Sequence, residues 1–156
     1  IESIAGLTIN DPLKSAEAMA VLQSAQELFA PLNPTVNFAI GQDFKDKRDK
    51  MRSGLESRFS DLARCLEKYE GRYFIDNTPR AAEFACFHHL DLSKKLDPEI
   101  IYGFPRLVQF MDDIQNIEAV KNCLENRPKL VGVGVEPKLI LDGSAHPTGV
   151  NKTYEI

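Results

Sequence analysis

The sequence predicts an all-α protein, a bundle of about six helices followed by an irregular C-terminal tail. The first indication is an apolar repeat at helical spacing in one long segment, formed by Met51, Leu55, Phe59, Leu62, Leu66 and Tyr69. The second is that several segments open on a proline, the residue best tolerated in the first turn of a helix. The third is that the helical period stops at Pro128, after which valine, glycine and proline alternate without it. We therefore divide the chain into an initial segment of residues 1–8, a helical domain of residues 9–128 and a tail of residues 129–156.

The first two helices are predicted from their boundaries. Asp11 supplies a capping carboxylate and Pro12 a fixed helical φ, so the first helix is expected to run from there to Ala30. Two prolines and a glycine then predict a bend or loop over residues 31–41. The second helix is predicted over residues 43–70.

Four shorter helices complete the predicted bundle. Thr78 and Pro79 open the third, which runs to Leu92 and is apolar enough to be the buried centre. The fourth is short and begins at Asp97 and Pro98, the fifth begins at Phe104 and Pro105, and the sixth covers residues 116–126.

Charge and apolar run length argue against a nucleic-acid partner and against a transmembrane segment. The net charge is −4, and the two signs are interleaved along the chain, which argues against a groove that neutralises nucleic-acid phosphates. The chain has no apolar run of the length that crosses a membrane, so no transmembrane segment is predicted.

The cysteines and histidines suggest packing rather than chemistry. Cys65, Cys86 and Cys123 are widely spaced and odd in number, so neither a disulfide framework nor a zinc site is indicated, and an intracellular, reducing compartment is expected. Each cysteine lies among apolar residues, and we expect buried packing rather than a role as a nucleophile.

His88 and His89 are adjacent on a helix and point in different directions, so no metal site is predicted. One is expected in the core and the other at solvent or an interface.

Several segments, read in order, carry a family resemblance. They are IESIAGL with DPL at the start, and the stretches at residues 73–91, 103–114 and 117–128. Together they resemble the C-terminal domain of soluble glutathione S-transferases, most like the sigma and mu types. The resemblance implies that an acid near the start of the buried helix, here Glu83, satisfies backbone N–H groups there. Where the family usually has Ser or Thr this chain has Arg80, so Thr78 is expected to cap the helix one turn earlier.

For activity the resemblance implies binding rather than catalysis in this chain. Family members hold glutathione and activate its thiol with a thioredoxin-like N-terminal domain, of which residues 1–8 are expected to be the remnant end. No catalytic residue and no cofactor is therefore predicted here, and glutathione is expected only with an upstream domain. Where sigma and mu members place an acid that reaches glutathione on the neighbouring subunit, this chain has Met19, followed by Gln23.

The first helix carries the predicted binding residues. One stripe is implied by the resemblance to line the pocket for a hydrophobic co-substrate, or the dimer interface: Met19, Gln23, Gln26 and Phe29. The alternative is plain core and interface packing. Our first hypothesis is a non-catalytic binding or assembly module in a larger protein complex, with a protein partner or a second copy and a possible hydrophobic small molecule. The alternative is the co-substrate-binding and dimerisation half of an active glutathione S-transferase.

Overall fold

The helices follow the predicted order. The computed structural model describes residues 8–149, apart from the side chains of Leu28 and Phe29. That part of the chain contains α1 (Pro12–Phe38), α2 (Gly41–Glu67), α3 (Ala81–Leu96), α4 (Pro98–Tyr102), α5 (Pro105–Gln115) and α6 (Glu118–Asn126). The all-α class with about six helices is confirmed. The initial segment, predicted as the remnant of a preceding domain, lies outside the described residues apart from Thr8.

Helix α1 begins where expected but ends later. The Asp11 side chain accepts hydrogen bonds from the backbone N–H groups of Leu13 and Lys14, at 2.8 and 3.2 Å. The predicted loop at residues 31–41 is wrong, because α1 continues through Pro31 and Pro34 to Phe38.

Burial explains this continuation. Leu32 and Val36 lie on the inner side of the last turns and are fully buried, at 0% exposure. Pro31 and Pro34 are exposed, so the carbonyls that lose an N–H partner face the solvent side of the helix. The Thr35 hydroxyl adds a hydrogen bond to the Pro31 carbonyl at 2.8 Å. Core packing therefore outweighs two proline penalties.

Helix α3 is the centre of the bundle, as predicted, and packs against α1, α4 and α5. It ends one turn later than expected, at Leu96, and its inner face contributes Ala82, Cys86, Phe87, Leu90 and Leu92 to the core. Phe59, Leu62 and Leu66 of the predicted repeat on α2 are buried in the same core.

The start of α3 departs from the sequence prediction at one residue. The N-cap is Arg80 and not Thr78, which precedes the N-cap by two residues. Glu83 has its expected role: its carboxylate accepts from the backbone N–H of Arg80 at 2.9 Å and of Phe74 at 3.2 Å. The Arg80 guanidinium donates two hydrogen bonds to Asp76, both at 2.9 Å.

The tail, predicted extended or irregular, forms a small antiparallel sheet in its first part. Its strands are β1 (Lys129–Val131), β2 (Lys138–Leu141) and β3 (Ser144–Pro147), paired in the order β1-β2-β3. A two-residue turn joins β2 to β3, and both of its residues have positive φ, 48° at Asp142 and 79° at Gly143. Such a turn matches the twist of the strands that it connects.

Backbone contacts fasten the tail to the junction between α1 and α2. The Gly41 N–H donates to the Gly134 carbonyl at 2.8 Å, and the Thr148 hydroxyl donates to the Asn37 carbonyl. We call these two hydrogen bonds the tail clasp. The ring of Phe44 lies directly against Gly134, where a Cβ atom would come within 2.7 Å of it. The clasp holds β1 beside the helices.

Candidate functional site

A cavity of about 480 Å³ lies where the tail meets the helices. It is bounded by the last turns of α1, the outer face of α3, the end of α6 and strand β1. We call it the tail cleft, and its lining residues are Asn33, Asn37, His88, Asp91, Leu92, Lys95, Leu124, Arg127, Pro128, Lys129, Leu130 and Val131. This volume is in the range that small organic ligands occupy.

The cleft combines an apolar wall with polar groups. Leu92, Leu124 and Leu130 supply the apolar wall. On α1 the Asn37 amide donates to both the carbonyl and the side-chain oxygen of Asn33, each at 2.9 Å, which fixes its orientation. An apolar surface with a few positioned polar groups is typical of a small-molecule site.

The charged groups of the cleft meet at Asp91. Lys95 Nζ donates to Asp91 Oδ2 at 2.6 Å, and Arg127 Nη2 donates to the same oxygen at 2.8 Å. Burial raises the pKa of the Asp91 carboxyl, but the hydrogen bonds and charges of Lys95 and Arg127 outweigh burial and leave the pKa below its ordinary value. Asp91 is therefore ionised at neutral pH.

The two histidines are divided as predicted. His89 is 5% exposed and belongs to the core, whereas His88 is exposed on the cleft side of α3. Burial lowers the pKa of the His89 imidazole to about 4, and partial loss of hydration lowers the pKa of His88. Within residues 8–149 no three His, Cys, Asp or Glu side chains are grouped as metal ligands would be.

A second, smaller cavity of about 180 Å³ lies between α1 and α2. Its floor is apolar, with Val21, Leu62 and Phe74. At its rim the Glu17 carboxylate accepts hydrogen bonds from Lys68 and from the Tyr69 hydroxyl, and these bonds lower the pKa of Glu17. We call this cavity the helix-pair pocket.

The cysteines only partly follow the sequence prediction. Cys86 is buried, but Cys65 and Cys123 are exposed, because their helix positions fall outside the core stripe. Partial loss of hydration first, and then the charge of Asp61, raises the pKa of the Cys65 thiol, and burial raises the pKa of the Cys86 thiol. Neither thiol is activated as a nucleophile at neutral pH.

The predicted site residues and the cleft do not coincide. Met19, Gln23 and Gln26 are exposed on α1 and line neither the tail cleft nor the helix-pair pocket, and the Phe29 side chain lies outside the described part of the chain. The tail cleft does include the first helix, the element that the resemblance implied, through Asn33 and Asn37. Its polar residues on α3 were missed, although His88, Asp91 and Lys95 follow one another at helical spacing on one face.

A bundle of six helices around a buried central helix is the architecture of the helical half of a glutathione-transferase fold. The chain belongs to the family described as glutathione S-transferase, C-terminal domain, whose model matches residues 32–127. No curated protein matches it.

A solved structure supports the same fold. The crystal structure of the glutathione S-transferase Blo t 8 superposes with a TM-score of 0.68 at 15% sequence identity, over 79% of this chain and 57% of that chain. The present chain thus spans little more than half of that transferase. At such identity the likeness concerns the fold alone. None of the helices in the described part is long and apolar enough to cross a membrane.

Proposed function

We propose that this domain is a non-catalytic binding module that holds a hydrophobic small molecule in the tail cleft. The observation that carries the proposal is the cleft itself, a cavity of about 480 Å³ with a leucine wall and positioned polar groups. The thiols support the same view, since the pKa values of Cys65 and Cys86 are raised rather than lowered.

Calorimetric titration with 2-naphthamide, a neutral bicyclic probe, tests this proposal on the full protein. Leu130→Asp places a charge in the apolar wall and should weaken binding at least about tenfold. Leu141→Asp is the matched control, because Leu141 is an exposed leucine of the same sheet outside the cleft lining, and it should leave affinity unchanged.

A different site would give a different pattern. If Ala20→Phe, which fills the helix-pair pocket, abolished binding while Leu130→Asp did not, the ligand would belong to that pocket and the proposal would be wrong.

A second candidate is the co-substrate-binding half of an active glutathione S-transferase. It is favoured by family membership together with a cleft to which the first helix contributes, as the resemblance implies for the co-substrate pocket. The test is conjugation of glutathione to chlorodinitrobenzene by the protein as encoded in full. Turnover that falls in the Leu130→Asp variant, with a raised KM for the electrophile, would support this candidate over the non-catalytic module.

Assembly is the other part of the proposal. Leu13 and Met19 are large apolar side chains of α1 that are 66% and 55% exposed. We propose that a second copy of the chain docks there, while a different protein partner in a larger complex is the competing outcome. An intracellular, reducing location remains a prediction from the cysteine pattern.

A further inference from the structure

The tail cleft carries more positive than negative charge, although the whole chain is acidic. Three cationic side chains line it, Lys95, Arg127 and Lys129, against the single carboxylate of Asp91. His88 adds no charge at neutral pH, because partial loss of hydration lowers the pKa of its imidazole below the ordinary value. The cleft is thus a local positive site in a protein of net charge −4.

The geometry around Asp91 concentrates this charge. Lys95 and Arg127 donate to the same oxygen, Oδ2, so their nitrogens lie within two hydrogen-bond lengths of each other. One carboxylate compensates one of the two cations. The side chains are between 19% and 36% exposed, so water screens the remaining positive charge less than at an open surface.

The same groups retain capacity to bind. A guanidinium has several N–H donors in a planar fork, and the bond from Arg127 to Asp91 uses one of its nitrogens. An ammonium group has three N–H donors, and Lys95 directs one of them at Asp91. Two cations beside a leucine wall are complementary to a molecule with an apolar body and one anionic end.

We infer that the tail cleft selects organic anions, a carboxylate or sulfonate on an apolar ring system, and that Arg127 and Lys95 determine this selectivity. The inference rests on the proposed function, since it names the ligand class of the same cleft. The apolar body lies against Leu92, Leu124 and Leu130, and the anionic group accepts from Arg127 and Lys95 beside Asp91.

The experiment compares 2-naphthoate with 2-naphthamide, which have nearly the same shape and differ in charge. Calorimetry on the full protein should give naphthoate at least about tenfold tighter binding than the amide. Arg127→Gln should bring the two ligands close to parity. Asp91→Asn, which removes the competing carboxylate, should instead tighten naphthoate binding and leave the amide unchanged.

A matched control separates charge in the cleft from charge elsewhere. Lys94 neighbours Lys95 on α3 but stacks over the Tyr102 ring, 5.8 Å from its centroid, and does not line the cleft. Lys94→Gln should preserve the preference for naphthoate. Circular dichroism of each variant verifies the helical fold, and opposite effects of the Arg127 and Asp91 variants cannot both arise from misfolding.

The failures are distinguishable. Equal affinity for the two ligands, or selectivity unchanged by Arg127→Gln and Asp91→Asn, would overturn the inference and mean that these cations only stabilise the ends of α3 and α6. If neither 2-naphthoate nor 2-naphthamide binds, the proposed function is overturned instead.

Discussion

Glu83 satisfies the N-cap of the central helix: the Arg80 backbone N–H donates to the Glu83 carboxylate at 2.9 Å, while the Arg80 guanidinium binds Asp76 upstream. The same carboxylate accepts from Phe74 in the preceding loop. One buried acid thus joins the loop to the helix. Arginine has no hydroxyl that could accept from the first turn, but the acid three residues later still satisfies the N–H of the N-cap residue.

Replacing Glu83 with alanine should destabilise the domain strongly. The variant leaves two buried backbone N–H groups without their acceptor, which should lower the free energy of unfolding by about 3 kcal/mol. Urea denaturation followed by circular dichroism measures this loss. Glu83→Gln keeps one amide oxygen as acceptor and should lose less; equal losses in the two variants would contradict the capping role.

The Gly134–Phe44 contact predicts a local effect on the tail. Gly134 and Gly143 both have positive φ, at 77° and 79°, but only at Gly134 would a Cβ meet a neighbour, the Phe44 ring. Alanine at either position strains the backbone by about 1 kcal/mol, and at Gly134 the clash should add about 2 kcal/mol.

Hydrogen exchange at the Gly41 amide reads out this difference, because that amide donates to the Gly134 carbonyl. Gly134→Ala should accelerate its exchange, and Gly143→Ala should not. Comparable protection in the two variants would mean that the ring does not hold the tail.

His89 should make stability depend on pH. Burial, and then the neighbouring His88, lowers the pKa of the folded-state imidazole from 6.5 to about 4. As pH falls through 6.5 the unfolded chain takes up a proton that the folded chain refuses until about pH 4. The contribution of His89 to the free energy of unfolding is therefore complete above pH 6.5 and is lost as the pH falls toward 4. At pH 5 this loss is about 2 kcal/mol.

Urea denaturation at pH 7 and at pH 5 measures how the free energy of unfolding depends on pH, and variants isolate the contribution of His89. Glu83, whose pKa is raised by burial, acts in the opposite direction, so the wild-type slope alone is not the measure. His89→Gln should flatten the pH dependence, whereas His146→Gln, on the exposed strand β3, should retain it. An unchanged slope in His89→Gln would refute the assignment.

Met19 should be important for self-association if a second copy covers α1. A carboxylate at an apolar contact loses hydration without gaining a partner, so Met19→Glu should shift the protein toward monomer. Sedimentation velocity gives the oligomeric state, and Leu141→Glu, an exposed apolar position on β2, is the control. A monomeric wild type, or a dimer unaffected by Met19→Glu, would exclude this face.

The sequence predicted the helices where period and boundary residues agree. The repeat from Met51 to Leu66 lies within α2, which ends at Glu67 before Tyr69, and Asp11 is the observed N-cap of α1. Pro31 and Pro34 were misleading, since the sequence does not show that both prolines face solvent while Leu32 and Val36 are buried. Tertiary packing, which periodicity cannot weigh, decided that boundary.

The sheet and the cleft were harder to predict. The pair Asp142-Gly143 is a strong hairpin signal that could have revealed β2 and β3. The cleft joins residues from α1, α3, α6 and β1, distant along the chain, so its charge cluster becomes visible only when Arg127 meets Asp91. Family resemblance indicated the first helix, which forms one side of the cleft, but it indicated other residues of that helix and not α3, α6 or β1.

The tail clasp has a consequence for how such a protein diversifies. Its acceptors are main-chain carbonyls, of Gly134 and Asn37, so fastening the tail places little demand on the side chains of β1. Leu130 and its neighbours can therefore be exchanged while the strand keeps its position. New binding preferences can arise along this strand by substitution, without redesign of the helical scaffold beneath it.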